Sequence, residues 1–164
     1  MSGDRVKVAP YALSGLKRAF DFLLAALGLL FSAPLWVLIP LAIVLDDGRP
    51  VFYTQARVGR GGRVFRAYKF RSMVRDAEKK GNAVLATADD PRVTRVGRFL
   101  RATALDELPQ LVNILWGHMS FVGPRPERPE LVAAITAACP RYELRHLVRP
   151  GLTGYAQIWG HYES

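Results

Sequence analysis

At 164 residues the chain fits one compact domain with room for a membrane anchor, but not for a second domain beside it. Half of its residues are hydrophobic and its formal charge is +9 with a pI near 10.2, so the expected partners are anionic: phosphate groups, acidic lipid or nucleic acid. A single cysteine, Cys139, excludes an internal disulfide framework and a thiolate-based zinc site and reads as cytoplasmic exposure.

The run from Phe22 to Leu45 carries no charged residue, and roughly 20 apolar residues suffice to cross a bilayer as a helix. Membrane contact follows. A cleaved signal peptide fits poorly, because the run is too long for its apolar region and no convincing cleavage site follows. Two features favour a re-entrant segment. Pro34 deletes a helical hydrogen bond and clashes with the carbonyl of Leu30, and Pro40 repeats the fault, so a break is expected near Ser32 to Pro34. Ser32 can return its hydroxyl to a freed carbonyl. Both flanks are also basic, with Arg5, Lys7, Lys17 and Arg18 before the run and Arg49, Arg57, Arg60, Arg63 and Arg66 after it. Positive residues mark the cytoplasmic side, so a segment returning to the same face satisfies the rule better than a span. A proline-kinked transmembrane helix is the alternative.

Beyond the anchor, Pro50 to Arg57 and Arg63 to Phe70 are rich in Val, Phe and Tyr and flank Gly59-Arg60-Gly61-Gly62, which predicts a β-hairpin. The glycines form a tight turn and not a P-loop, since no Gly-Lys-Ser/Thr follows. A short helix is expected over Ser72 to Lys80, closed by Gly81-Asn82, with a polar loop from Asn82 to Pro91. Arg92 to Arg101 sets Val96, Phe99 and Leu100 on one face among Arg95, Arg98 and Arg101, a basic amphipathic helix that either lies on a membrane or packs on a core. Leu105 to Trp116 has helical period and is stopped by Gly117. A Pro-rich link over Gly123 to Pro129, a helix from Glu130 to Ala138 and an irregular end complete the chain. The expected class is α+β, mainly helical. Residues 1–48 form the N-terminal segment with a re-entrant membrane helix broken at Pro34. Residues 49–164 form a small cytoplasmic, membrane-associated domain with a β-hairpin and amphipathic interfacial helices.

Fourteen basic residues against four acidic ones lie between Arg49 and Arg101, which suits phosphorylated substrates at a membrane surface and equally suits attraction to anionic lipid. In this positive field Asp106 and Glu107 are adjacent acids. Pro109, tolerated only in a first helical turn, sets the helix start at them, where the macrodipole and nearby arginines should keep them ionised. Thr103-Ala104-Leu105-Asp106 also matches a capping box, in which Asp106 would only bind a backbone amide. The chemical reading is a carboxylate that attacks a phosphoryl group, with Mg²⁺ held by these carboxylates and substrate phosphate oxygens. Arg125, in the Gly123-Pro124-Arg125-Pro126 turn, is a candidate for bidentate phosphate contact or a plain surface arginine. His118, His146 and His161 lack the spacing of zinc ligands. Trp116 and Trp159 read as core or interfacial belt before base-stacking platform.

Taken together, five segments resemble the bacterial sugar transferases, or monotopic phosphoglycosyl transferases. They are Gln55-Ala56-Arg57-Val58-Gly59, Lys69-Phe70-Arg71-Ser72-Met73, Leu105-Asp106-Glu107-Leu108-Pro109-Gln110-Leu111 with Asn113, Met119 to Glu127, and Pro150-Gly151-Leu152-Thr153-Gly154 with Gln157. The resemblance implies that Asp106 is the nucleophile of a ping-pong reaction on a UDP-sugar, releasing UMP and passing the phosphosugar to polyprenyl phosphate. It implies that Glu107 completes the dyad and assists Mg²⁺ binding or acid-base work, that Arg101 and Arg125 contact phosphate, and that Lys69 and Arg71 give electrostatic support. It implies a monotopic protein of the bacterial inner membrane with its catalytic domain on the cytoplasmic face and Ser32 and Pro34 at the helix break. Many members set Ser directly before that proline, whereas Ala33 stands there in this chain, so the hydrogen bond supporting the break is expected to differ. The family usually continues past the Gln157 region into a further helical segment, and larger relatives carry extra transmembrane helices before this domain. No nucleic-acid partner is expected, and homo-oligomerisation is left open. The rival from another class is a membrane-tethered binder of anionic lipid or nucleic acid, which leaves the acidic pair unexplained and predicts strongly salt-sensitive binding.

Overall fold

The computed structural model describes residues 13–75, 77 and 90–159. Six helices and four short strands follow one another: α1 (Gly15–Phe31), α2 (Leu35–Asp47), β1 (Phe52–Val58), β2 (Val64–Phe70), α3 (Arg95–Ala102), α4 (Gln110–Leu115), β3 (Ser120–Val122), α5 (Pro129–Ala138), β4 (Gly151–Thr153) and α6 (Tyr155–Trp159). Three 3₁₀ turns lie at Arg60–Gly62, Leu105–Glu107 and Pro140–Leu147. The mixed, mainly helical class and the hairpin agree with the sequence.

The break between α1 and α2 falls at Ser32 to Pro34, and the two helices are bent by 62°. Neither helix alone is long and apolar enough to cross a membrane. The Leu30 carbonyl, which Pro34 cannot serve, takes the Ala33 N–H at 3.2 Å. The Ser32 hydroxyl donates to the Leu29 carbonyl at 3.3 Å and accepts from the Trp36 indole N–H at 3.2 Å, so a side chain from the second helix locks the corner. Pro40 stays inside α2 without a second break. The outward faces of the pair, including Leu16, Phe20, Leu23, Phe31, Val37 and Leu45, are exposed. A contiguous apolar surface of this kind marks an interaction with lipid or protein.

The inward faces belong to two cores. Ala25 of α1 packs with Phe65, Ala67, Leu111, Ile114 and Met119; Ile39 and Ile43 of α2 pack with Phe70 and Leu100. Asp21, one turn before Ala25, is 1 % exposed. Its carboxylate accepts from Lys17, from the Ser120 hydroxyl at 2.9 Å and from the Phe121 N–H at 3.2 Å, which ties α1 to β3. Arg18 donates to the carbonyls of Ile114 and Leu115, both at 2.6 Å, and so closes the C-terminal end of α4. Lys17 and Arg18, basic flanks in the sequence, are thus internal fasteners as well.

β1 and β2 pair antiparallel from Phe52↔Phe70 to Val58↔Val64. Their turn needs left-handed backbone at Gly61 and Gly62 (φ 67° and 74°), which glycine adopts without steric cost. The outer edge of β2 is met by Asn113, which is fully buried. Its Oδ1 accepts from the Tyr68 N–H at 3.0 Å and its Nδ2 donates to the Arg66 carbonyl at 2.8 Å. β3 and β4 pair in parallel, Ser120↔Gly151 and Val122↔Thr153, so the irregular end expected from the sequence holds a strand and two further helical turns. Gly123 and Gly151 make this approach possible, because a Cβ at Gly151 would lie 2.1 Å from the Gly123 nitrogen.

Three other expectations change. Over 72–75 the chain is not helical: Met73 bridges Val93, the Val74 N–H donates to the Arg92 carbonyl and the Thr94 N–H to that of Ser72. Pairing with a distant segment overrides local helical preference there. The rest of the expected helix and most of the Asn82 to Pro91 loop lie outside the described residues. The Leu105 to Trp116 helix is a 3₁₀ turn followed, across Leu108 and Pro109, by the short α4. No capping box forms, since Thr103 ends α3 and its hydroxyl donates back to the Phe99 and Leu100 carbonyls at 2.8 and 3.2 Å.

Replacing Asn113 with alanine leaves the Tyr68 N–H and the Arg66 carbonyl of β2 without their side-chain partner. The expected cost is about 2–4 kcal/mol, read as a lowered unfolding midpoint in detergent, whereas an unchanged midpoint would show that water replaces the amide. A Cβ at Gly97 would lie 2.0 Å from the Ser72 carbonyl oxygen. Gly97→Ala is therefore expected to lose about 1–3 kcal/mol in the same measurement.

Candidate active site

The chain leaves α3 through Ala104, held left-handed at φ 55°, and turns into the 3₁₀ segment that carries both acids. This reversal aims Asp106 inward, where it is 7 % exposed, and leaves Glu107 half-buried. Lys69, near the end of β2, reaches both: its Nζ lies 2.5 Å from Glu107 Oε1 and 3.6 Å from Asp106 Oδ2. Hairpin and helical turn thus meet at one ammonium between two carboxylates.

Burial pushes the Asp106 carboxyl above the ordinary carboxylate range; the Glu107 charge adds to this, and Lys69 and Arg101 oppose it. To the macrodipole and arginines that the sequence offers as reasons for ionised acids, the structure adds an opposing burial at Asp106. The acids precede a short helix in a 3₁₀ turn, and desolvation is the largest effect on Asp106.

Glu107 and Lys69 line a depression shared with Arg57, Gln110, Arg125 and Gln157. Arg125 therefore lines the same depression as Glu107. Its turn is clamped from two sides. Arg57 donates to the Pro126 carbonyl at 3.0 Å and pairs with Glu127 at 3.7 Å, while the Val58 N–H donates to the Glu127 carbonyl at 2.9 Å. Arg145 donates to the carbonyl of Arg125 itself. Burial, with Arg125 and Arg128 nearby, lowers the Arg57 pKa although Glu127 opposes the shift.

Arg101 acts on Asp106 electrostatically and donates from Nε to the Ser72 hydroxyl at 3.0 Å. Arg71 is elsewhere. It is buried at the C-terminal end of α2, donating to the carbonyls of Asp47 and Gly48 at 3.1 and 2.6 Å and pairing with the Asp47 carboxylate at 3.0 Å. His118 stacks near Phe65 and Trp116, away from any carboxylate cluster; His161 lies outside the described residues. Motif membership alone assigns Arg57, Gln110 and Gln157 no role, and Asp21 is inconspicuous in the sequence because it stands just before the apolar run. A lone acid among apolar helix residues was the available signal.

The two carboxylates supply hard oxygen ligands suited to Mg²⁺, which is bound by one or two carboxylates plus substrate oxygens and water. Among the described residues no cluster of three or more His, Cys, Asp or Glu side chains exists. The donor set therefore fits an ion completed by substrate and not a closed protein cage.

The family model described as bacterial sugar transferase matches residues 12–164. The chain is 48 % identical over 147 residues to an undecaprenyl-phosphate glucose phosphotransferase of Komagataeibacter xylinus, covering 88 % of this chain and 28 % of the relative. It is 48 % identical over 145 residues to the UDP-glucose:undecaprenyl-phosphate glucose-1-phosphate transferase of Escherichia coli K12, covering 88 % of this chain and 31 % of the relative. It is also 43 % identical over 148 residues to the exopolysaccharide production protein PSS of Rhizobium leguminosarum, of which it covers 74 % while 88 % of this chain is matched. The chain thus spans about a third or less of the first two relatives and most of the third. With the matched region running through the helix break, the hairpin, the acidic turn and the glycine-rich strand pair, the chain belongs to the bacterial sugar transferase family.

Proposed function

We propose that the chain transfers a sugar-1-phosphate from a UDP-sugar to a polyprenyl phosphate, such as undecaprenyl phosphate, and releases UMP, as the first membrane step of a surface polysaccharide or glycoconjugate. The observation that carries this reading is the buried Asp106 beside Glu107 and Lys69, the latter two lining a depression otherwise rich in cationic side chains. A desolvated carboxylate is a stronger nucleophile than a solvated one, and the cations offset the charge of an approaching diphosphate. The names of relatives that use UDP-glucose and undecaprenyl phosphate support the substrate class.

In the first half-reaction an Asp106 oxygen attacks the β-phosphorus of the donor. A bond forms between that oxygen and phosphorus, and the bond from phosphorus to the bridging oxygen breaks, so UMP leaves with the electron pair. In the second half-reaction a phosphate oxygen of the polyprenyl carrier attacks the same phosphorus, the bond to Asp106 breaks, and a polyprenyl-diphosphate sugar departs. Lys69 steadies charge at the reacting phosphate, Arg125 holds the other phosphate, and Arg101 supports Asp106 from α3. Asp106 and Glu107 would hold Mg²⁺ with donor oxygens, and the ion would neutralise phosphate charge. The bent apolar pair α1–α2 fits a re-entrant, monotopic seat in the bacterial inner membrane, with the site on the cytoplasmic face.

Incubation in nanodiscs with Mg²⁺, undecaprenyl phosphate and a panel of UDP-sugars is expected to release UMP, with Asp106→Asn roughly 10⁴-fold slower or worse. Release of UDP would mean transfer of sugar alone; no nucleotide release, together with salt-sensitive RNA or lipid binding, would favour the binder. The pH profile gives a second expectation. The nucleophile must be ionised, so kcat/KM falls on the acid side at a pH above the ordinary carboxylate range. Glu107→Gln removes a charge that raises the Asp106 pKa, and the acid limb should move to lower pH; Lys69→Met should move it higher. Folding gives the third. A carboxyl whose folded pKa is raised costs no stability below its unfolded pKa and costs most above its folded pKa. Asp106→Asn is therefore expected to unfold at the same or higher temperature than the parent at pH 7 to 8, while an early-melting variant would contradict the desolvation argument.

A further inference from the structure

Beside its charged groups, the depression is lined by two neutral carboxamides, Gln110 and Gln157. Gln110, one helical turn beyond Glu107, is 4 % exposed. Gln157 lies in α6, and its backbone N–H donates to the Gly154 carbonyl at 3.0 Å. Its side-chain Oε1 is buried and accepts no hydrogen bond among the described residues. Buried acceptors are almost always matched, because the lost hydration is otherwise uncompensated. The seat of this amide is built from backbone. A Cβ at Gly154 would lie 3.1 Å from Gln157 Oε1 and 2.2 Å from the Gly123 carbonyl, so the amide oxygen rests against the glycine-built β3–β4 junction.

Phosphate recognition does not call for carboxamides. Lys69, Arg57 and Arg125 supply cationic donors around the depression, whereas a carboxamide offers a neutral acceptor and donor side by side. That chemistry matches a sugar hydroxyl or the imide N–H of a uracil ring. We propose that Gln157, with Gln110, selects the nucleotide sugar by hydrogen-bonding a neutral O–H or N–H group, Gln157 Oε1 being the acceptor. This deepens the transferase reading above and rests on it. A donor lacking the matching group leaves the acceptor unpaired in a desolvated place, which is the strongest basis a site has for rejecting close analogues. The role also separates from a structural one. No protein donor is lost when Oε1 is removed, so an apolar replacement takes away selection without loosening the fold.

The test compares the parent with Gln157→Leu and Gln157→Met for UMP release from UDP-glucose, UDP-galactose, UDP-N-acetylgalactosamine and CDP-glucose, and for thermal unfolding without nucleotide. Both variants are expected to unfold no earlier than the parent. Both should lose roughly 10- to 100-fold in kcat/KM on the parent's preferred donor, mainly through KM, and the gap to the poorer donors should close. Closure among the UDP-sugars assigns the contact to a sugar hydroxyl, and closure between UDP- and CDP-glucose assigns it to the uracil imide. Variants that melt earlier, or that slow equally on every donor, make Gln157 a structural residue and overturn the proposal. An active parent whose variants keep its selectivity overturns this inference alone, while a parent that releases UMP from none of the donors overturns the transferase reading with it.

Discussion

Everything that brings Lys69 to the acidic pair depends on how β2 is held, and β2 is held by Asn113. A two-stranded hairpin has an open edge on each side, and a lone hairpin is marginal in water. On the outer edge of β2 the Asn113 amide supplies the acceptor and donor that a third strand would have supplied, to Tyr68 and Arg66. Lys69 is the next residue along that strand, and Asn113 sits in the helix that follows the acidic turn. Two hydrogen bonds therefore set the register between the cation and the carboxylates. Arg18 secures the C-terminal end of the same helix by its last carbonyls, so α4 is tied to β2 by its own Asn113 and to α1 by Arg18.

The basic composition divides into two uses that the sequence does not separate. Arg18, Arg71 and Arg149 spend their donors on backbone carbonyls at helix ends and turns, where they replace hydration that burial removes. Arg57 spends its donors on the turn that carries Arg125. Lys69 faces acids instead. The charge excess thus partly builds the site's walls and only partly fills it. Opposed to this field, Asp106 is set deep enough that desolvation outweighs its cationic neighbours.

Local chemistry explains what could be read from sequence. The Gly59–Gly62 turn, the break at Pro34 and the helix entered at Pro129 each follow from glycine or proline geometry acting within a few residues. The acidic pair and Arg125 are candidates in the sequence because their residue types stand out against their surroundings. What stayed hidden depends on distant partners. Residues 72–75 pair with Arg92 to Thr94, and the three-residue strands β3 and β4 lie about thirty positions apart, too short to show a period. Thr103 has the pattern of a cap but belongs to the helix before it. Lys69 and Arg71 share a motif yet diverge, because the chain leaves the sheet after Phe70 and strand alternation no longer governs it.

Ala25 and Ile43 make the apolar helix pair inseparable from the rest of the molecule. Each is the buried side of a helix whose opposite side is exposed, and each lies in a different core. A fragment starting after Gly48 would uncover Phe65, Leu111 and Ile114 on one flank and Phe70 and Leu100 on the other, together with the hydrogen-bonding groups of Ser120 and Phe121 that Asp21 now satisfies. The helices are thus masonry and not a mooring line. Arg18 also fastens α1 to the last carbonyls of α4, so the apolar pair and the helix that follows the acidic turn are built as one piece.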